Sequence, residues 1–358
     1  MRYHSARVVL GACLVAATAA AQAPASSSFA ATRGQGSFER APTGGELDLR
    51  SPNPEVLQQG QDPELYTLRG MFRANHGQFM DRRERLRPDI TLRASLIPNE
   101  RIVGEPGTFD LFGYDFDGAV KALVSPEGYL TFGGYYLGRH YTTSSAFGTK
   151  GNVGGIGDET LVGAGVRIGF GAFLDDNWLF EAETRPGVWS DLDDTLHHQD
   201  FDFPSSAMFT YRAIDNFFFK FGARYNQVYE DAPWLPILGF SWEVVDGFRL
   251  DILAPESVEM SFWPNHQLGI LFGAEVNGAE YHVHTAEALN QRANLRVQEA
   301  TAYLGLMTVP NDNISFLFRA GIVIAGDYDL TTGAAGFNRA EGALDQALFL
   351  DASFGLRF

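Results

Sequence analysis

The sequence predicts an all-β fold, a transmembrane antiparallel up-and-down β-barrel of about 12–14 strands. Three observations predict it. From residue 88 onward apolar residues recur at every second position, and the connections between the alternating runs are short at one end and long at the other. The chain also stops on such a run: Leu350, Ala352, Phe354, Leu356 and Phe358 alternate with Asp351, Ser353, Gly355 and Arg357. Alternation sends successive side chains to opposite faces of a strand. In a soluble sandwich those faces meet core and water, whereas in a membrane barrel they meet lipid and lumen. The far end of the chain helps to choose.

Residues 1–23 read as a signal peptide. Arg2 and Arg7 form a positive n-region, VVLGACLVAATAAA is a short apolar h-region, and Ala21-Gln22-Ala23 has the small-x-small pattern of a cleavage site. The mature chain is expected to begin near Pro24, outside the cytoplasm. Leu10-Gly11-Ala12-Cys13 resembles a lipobox, but the apolar run before Cys13 is too short for an h-region and continues past it. Cys13 is the single cysteine, so a chain cleaved at this site forms no internal disulfide.

Lys and Arg number 27 against 44 Asp and Glu, a net charge of −17. Loss of Arg2 and Arg7 makes it more acidic still. Nucleic acid is a poor partner for such a chain, because phosphate binding needs clustered cations. No apolar run of about 18 residues follows the leader, which excludes a spanning helix but not a barrel, whose strands carry a weaker hydropathy signal.

Residues 24–87 read as a polar, largely disordered periplasmic tether. PASSSFAATRGQGSFERAPTGG and SPNPEVLQQGQDPE lack apolar periodicity and bury too little surface to offset ordering entropy. Residues 88–358 are assigned to the barrel. In WLFEAETR, Trp178, Phe180 and Ala182 oppose Leu179, Glu181, Glu183 and Arg185. In NFFFKFGARYN, Phe217, Phe219 and Phe221 oppose Phe218, Lys220, Gly222 and Arg224. HQLGILFGAEVN sets Ile270, Phe272 and Ala274 against Gly269, Gly273 and Glu275, and ISFLFRAGIV sets Phe316, Phe318 and Ala320 against Ser315, Arg319 and Gly321. The second faces are small, polar or charged, the pattern of a wet interior.

Turn-forming residues mark short connections at 175–177, 214–216, 245–247, 264–266 and 310–313. Longer segments intervene at 140–157, 190–205, 277–295 and 325–346. Short turns on one side and long ones on the other are the asymmetry of a barrel with tight periplasmic turns and long external loops. Phe358 then ends on the same side as the tether.

A last strand with a C-terminal Phe resembles the assembly signal of outer-membrane barrels. The resemblance implies that Phe354, Leu356 and Phe358 are read by the barrel-assembly machinery, and that the protein sits in outer-membrane lipid. The stretch from Asp200 to Asn265, with LPILGFSW and LDILAPE, is similar to an uncharacterised family of outer-membrane barrels, a domain of unknown function. That likeness implies fold and location and carries no activity.

Chemistry is sparse, and the sequence assigns no catalytic residue, metal ligand or cofactor. The predicted external loop DLDDTLHHQDFD holds Asp191, Asp193, Asp194, His197, His198, Asp200 and Asp202. It resembles the Asp/His clusters of outer-membrane proteases or a divalent-ion loop, yet such carboxylates are common on acidic surfaces. His282 and His284 share one side of an extended segment with no third ligand specified. Ser144 and Ser145 follow His140 without further hydrolase motifs. The predicted lumen lining is Glu181, Glu183, Arg185, Lys220, Arg224, Glu275, Arg319, Asp351 and Arg357. These charges support two readings: a narrow channel for small solutes, or a non-conducting barrel, structural, surface-binding or enzymatic, filled by pairs.

Overall fold

A computed structural model describes residues 88–357 apart from 106, 126, 147–154, 194–195, 227–232, 266, 286–291, 312 and 333–337. The predicted leader and tether, Asp194 and Phe358 lie outside the described residues. The strands are β1 (Asp89–Arg101), β2 (Thr108–Leu123), β3 (Gly128–Thr143), β4 (Glu159–Phe173), β5 (Trp178–Thr184), β6 (Gly187–Ser190), β7 (Phe201–Asp202), β8 (Ser205–Ile214) and β9 (Phe217–Tyr225). They continue as β10 (Trp234–Val245), β11 (Phe248–Ala254), β12 (Ser257–Asn265), β13 (Leu268–His284), β14 (Arg292–Asn311), β15 (Ile314–Thr332), β16 (Asn338–Leu344) and β17 (Ala347–Arg357).

Sequential neighbours pair antiparallel around the wall, and β17 closes it by pairing with β15 on one flank and β1 on the other. Breaks at 185–186, 203–204 and 345–346 divide single crossings, so that β5 with β6, β7 with β8 and β16 with β17 each make one wall strand. The result is a closed barrel of 14 strands. DGFRLDIL and SVEMSFW, short runs flanking Pro255, form β11 and β12 and complete that number.

Around the barrel's outside, Leu96, Phe112, Phe170, Phe219, Phe272 and Phe318 are exposed, together forming an apolar belt. Their alternating partners turn inward. At the outer end the polarity of the two faces exchanges. On β14, Leu304 and Leu306 point out in the belt, but higher up Arg296 points out while Leu295 and Val297 point in. Outside the barrel there, Arg296 meets Glu280 at 3.1 Å and Asp329 at 3.5 Å, and Arg339 meets Asp329 at 2.6 Å. Such a charged ladder belongs in water, so the strands rise beyond the lipid.

This exchange corrects two expectations. Segments 277–295 and 325–346, predicted as long connections, are largely strand: β13, β14, β15 and β16 extend through them. The interior is not wet throughout either. Its outer half is packed by Ile97, Phe109, Tyr141, Leu161, Tyr281, Leu295, Tyr328 and Leu330 in one buried cluster. The belt pattern, apolar outside, becomes the soluble-sheet pattern, apolar inside, once water replaces lipid as the outer solvent.

Candidate functional site

The inner half of the barrel carries the charges. On one side Arg167 binds Glu183 at 2.6 Å and Asp117 at 2.9 Å, and Arg185 binds Asp117 at 2.9 Å and Glu183 at 2.7 Å. On another side Arg319 binds Glu275 at 2.8 Å and Asp351 at 3.0 Å, while Arg93 binds Glu275 at 3.3 Å and also Asp351. Arg319 further lies over the Tyr303 ring, 4.6 Å from its centroid. Among the described residues no ion pair joins the two networks. Each follows its own arc of wall, β2 to β5 or β13 to β1.

Of the other predicted lining residues, Glu181 accepts a hydrogen bond from the Tyr129 hydroxyl at 2.5 Å, and Arg224 meets Glu256 at 2.7 Å. Lys220 is buried, level with Thr210 and Gly239. Arg357 is exposed at the inner edge of β17 opposite Asp89, and its side chain joins neither network. Arg93, Asp115, Asp117, Arg139 and Arg167 were missing from the sequence prediction. Their signal was present: Asp115 and Asp117 alternate with Tyr114 and Phe116, as Arg319 alternates with Phe318.

Above this polar half the barrel is stoppered. Trp189 of β6 lies between Tyr135 and Tyr281, with ring centroids 6.0 and 5.7 Å away. Gly163 leaves the room for it, since a Cβ there would stand 2.7 Å from the indole. Ile156, Leu161, Leu295 and Leu330 are fully buried around it.

The outer rim joins motifs that are far apart in sequence. The Asp191 amide donates to the His282 carbonyl at 3.2 Å, and Asp191 Oδ2 lies 3.0 Å from His284 Nδ1. Glu159, Asp191 and Asp193 bring carboxylate oxygens within 4.8 Å of one another, an arrangement able to hold a divalent ion. Burial, and then the charges of Asp193 and Asp191, push the Glu159 carboxyl up to about 7. His140 pairs with Thr160 at 2.9 Å, and the Ser144 hydroxyl donates to the Thr108 carbonyl at 3.0 Å, so these two side chains form no nucleophile–base pair.

A family model described as a domain of unknown function (DUF6268) matches residues 143–356. The chain belongs to this family. Among solved structures it is similar to the COG4313 outer membrane channel from Pseudomonas putida F1, at 8% identity and a TM-score of 0.40, over 76% of this chain and 95% of that one. The Pseudomonas putida toluene transporter TodX matches at 10% identity and a TM-score of 0.39, over 76% of this chain and 90% of that one. The translocator domain of the autotransporter NalP from Neisseria meningitidis matches at 12% identity and a TM-score of 0.33, over 85% and 98%. No curated protein matches the chain.

Proposed function

We propose that this DUF6268 barrel is an outer-membrane channel for small solutes, with a water-filled inner half. The observation that carries the reading is that interior charges are held in ion pairs along the wall, in two networks, Asp117–Arg167–Glu183–Arg185 and Arg93–Glu275–Arg319–Asp351, and in the separate pairs Arg139–Asp115, Arg224–Glu256 and Arg249–Asp251. Eight strands leave an interior filled by side chains, while 16 to 18 leave an aqueous channel. At 14 strands, with the charges hydrogen-bonded along the wall, the centre is left to water. Mixed signs on that wall suit small polar solutes and weak ion selectivity.

A second reading, a non-conducting barrel, is favoured by one observation, the apolar cluster across the outer half. Conductance separates the two. Refolded protein that runs as a compact, heat-modifiable band is expected to give stepwise currents in a planar bilayer. Well-folded protein without current would overturn the channel reading and leave the closed barrel. The location in outer-membrane lipid, export through the leader and delivery by the assembly machinery belong to the same proposal, tested by fractionation and N-terminal sequencing of the mature chain.

A further inference from the structure

We propose that solutes pass between the inner chamber and the outside through a side port between β6 and β13, just above the lipid, and not through the outer end of the barrel. The inference rests on the channel reading and gives its route. Strand pairing supplies the first part. At the outer end β6 meets β13 directly, at Ser190 opposite His282, and the Asp191 amide to His282 carbonyl bond extends that contact. The contact skips the wall strands β7–β8, β9, β10, β11 and β12, which complete the barrel lower down. A smaller ring is thereby closed on top of a larger one, and the Trp189–Tyr281 contact lies within it.

The step between the two rings leaves an edge. Pairing of β12 with β13 reaches its outer limit at Ser257 opposite Glu275 and the Val276 amide bonded to the Glu256 carbonyl. From Asn277 to Tyr281, β13 pairs with β14 on one flank and, among the described residues, with no strand on the other. Toward its outer end this edge is covered by the turn His198–Asp200, which packs against both β6 and β13, so the open part lies at Asn277 and Gly278, two residues or roughly 7 Å tall. Asn277 and Gly278 are accordingly exposed.

A strand edge with no partner strand does not lie in hydrocarbon, so β13 faces water at Asn277 and Gly278. The neighbouring strands agree, because the outer ends of β9 and β10 carry the tilted aromatic pair Tyr225 and Trp234, ring centroids 5.2 Å apart, of the kind that marks a lipid boundary. Just inside the gap stand Arg224 paired with Glu256 at 2.7 Å, and Glu275 accepting from Asn277 at 3.1 Å. Cation, anion and amide together at one threshold suit small polar or zwitterionic solutes and oppose hydrocarbons, which would strip water from these groups.

The test uses full-length protein with Cys13 replaced by Ser, carrying Asn277→Cys or Gly278→Cys, in planar bilayers. A bulky, polar thiol reagent added on the outer side is expected to reduce conductance at least about twofold at both positions, by occluding the passage. The same reagent on Glu341→Cys, exposed on the top of the barrel, is expected to leave it unchanged. Complete labelling at residue 277 or 278 with full conductance retained would overturn the port while leaving the channel standing. No conductance before labelling would overturn the channel itself, and the port with it.

Discussion

Trp189 and Tyr281 touch across the barrel, their ring centroids 5.7 Å apart, although seven wall strands separate β6 from β13 in one direction and five in the other. Trp189 is therefore expected to be a stability anchor. Trp189→Ala should destabilise the fold by about 3 kcal/mol, the lower end for deleting a large aromatic, read as an earlier midpoint in urea unfolding followed by gel migration. The same variant should raise conductance by loosening the stopper. A variant as stable as the parent would mean that the outer ring stands without it.

Asp351 should matter to folding more than the other interior acids. Its side chain is inaccessible to solvent and accepts from both Arg93 and Arg319. Asp351→Ala would leave two guanidinium groups short of a buried partner, a loss of about 3–5 kcal/mol. Arg224→Gln removes a pair whose cation is 41% exposed, so stability should change by less than about 1 kcal/mol. Its effect should appear in the reversal potential under a salt gradient.

How far the sequence alone could reach is visible in two residue sets. Phe219 and Phe272 were legible as lipid-facing because the belt imposes a single solvent on one face for several residues, and both are exposed there. Tyr281 and Leu295 were not, because they lie where the outer solvent changes from lipid to water. The same two-residue period then carries the opposite polarity, which reads as a loop. The inward side of the charges on β5, β9, β13 and β15 follows from alternation; which charges pair does not, since Glu275 with Arg93, and at the rim Asp191 with His284, join residues far apart in the chain. Strand-to-strand closure alone sets those distances.

The belt register has its own test. Phe272→Arg is expected to impair insertion by roughly 2–4 kcal/mol if the residue lies near the midplane. Ser353→Arg, on the opposite face between Arg93 and Leu317 in register, should insert normally. Folding yields into vesicles across a urea series would compare them, and a reversal would place the register off by one residue.

The Glu159 carboxyl at the outer rim makes the rim pH-dependent. Its pKa is raised from 4.5 to about 7 by burial and by the charges of Asp193 and Asp191. A raised acid stabilises the folded rim fully below its unfolded pKa, and that contribution is lost as pH rises through the folded value. The rim should therefore loosen between about pH 4.5 and 7, seen as a fall in amide protection factors, observed rates corrected for the intrinsic pH dependence of exchange, in the outer part of β4. Glu159→Gln should remove this dependence, and protection factors that stay flat with pH in the parent would reject it.

Deleting Phe358 separates assembly from conduction. β17 is the closing strand: Leu356 lies opposite Ile90 of β1 on one flank and Ile314 of β15 on the other, and Phe354 packs on Phe316 with ring centroids 5.3 Å apart. The seam thus needs both flanks of this strand at once, and its inner end carries the residues that resemble an assembly signal. The interior charge networks, by contrast, end at Asp351, seven residues earlier. Loss of Phe358 should therefore reduce the amount of heat-modifiable barrel recovered from membranes while leaving the conductance of each assembled molecule unchanged. Equal yields with altered single-molecule conductance would place the terminal residue in the passage and remove it from the seam.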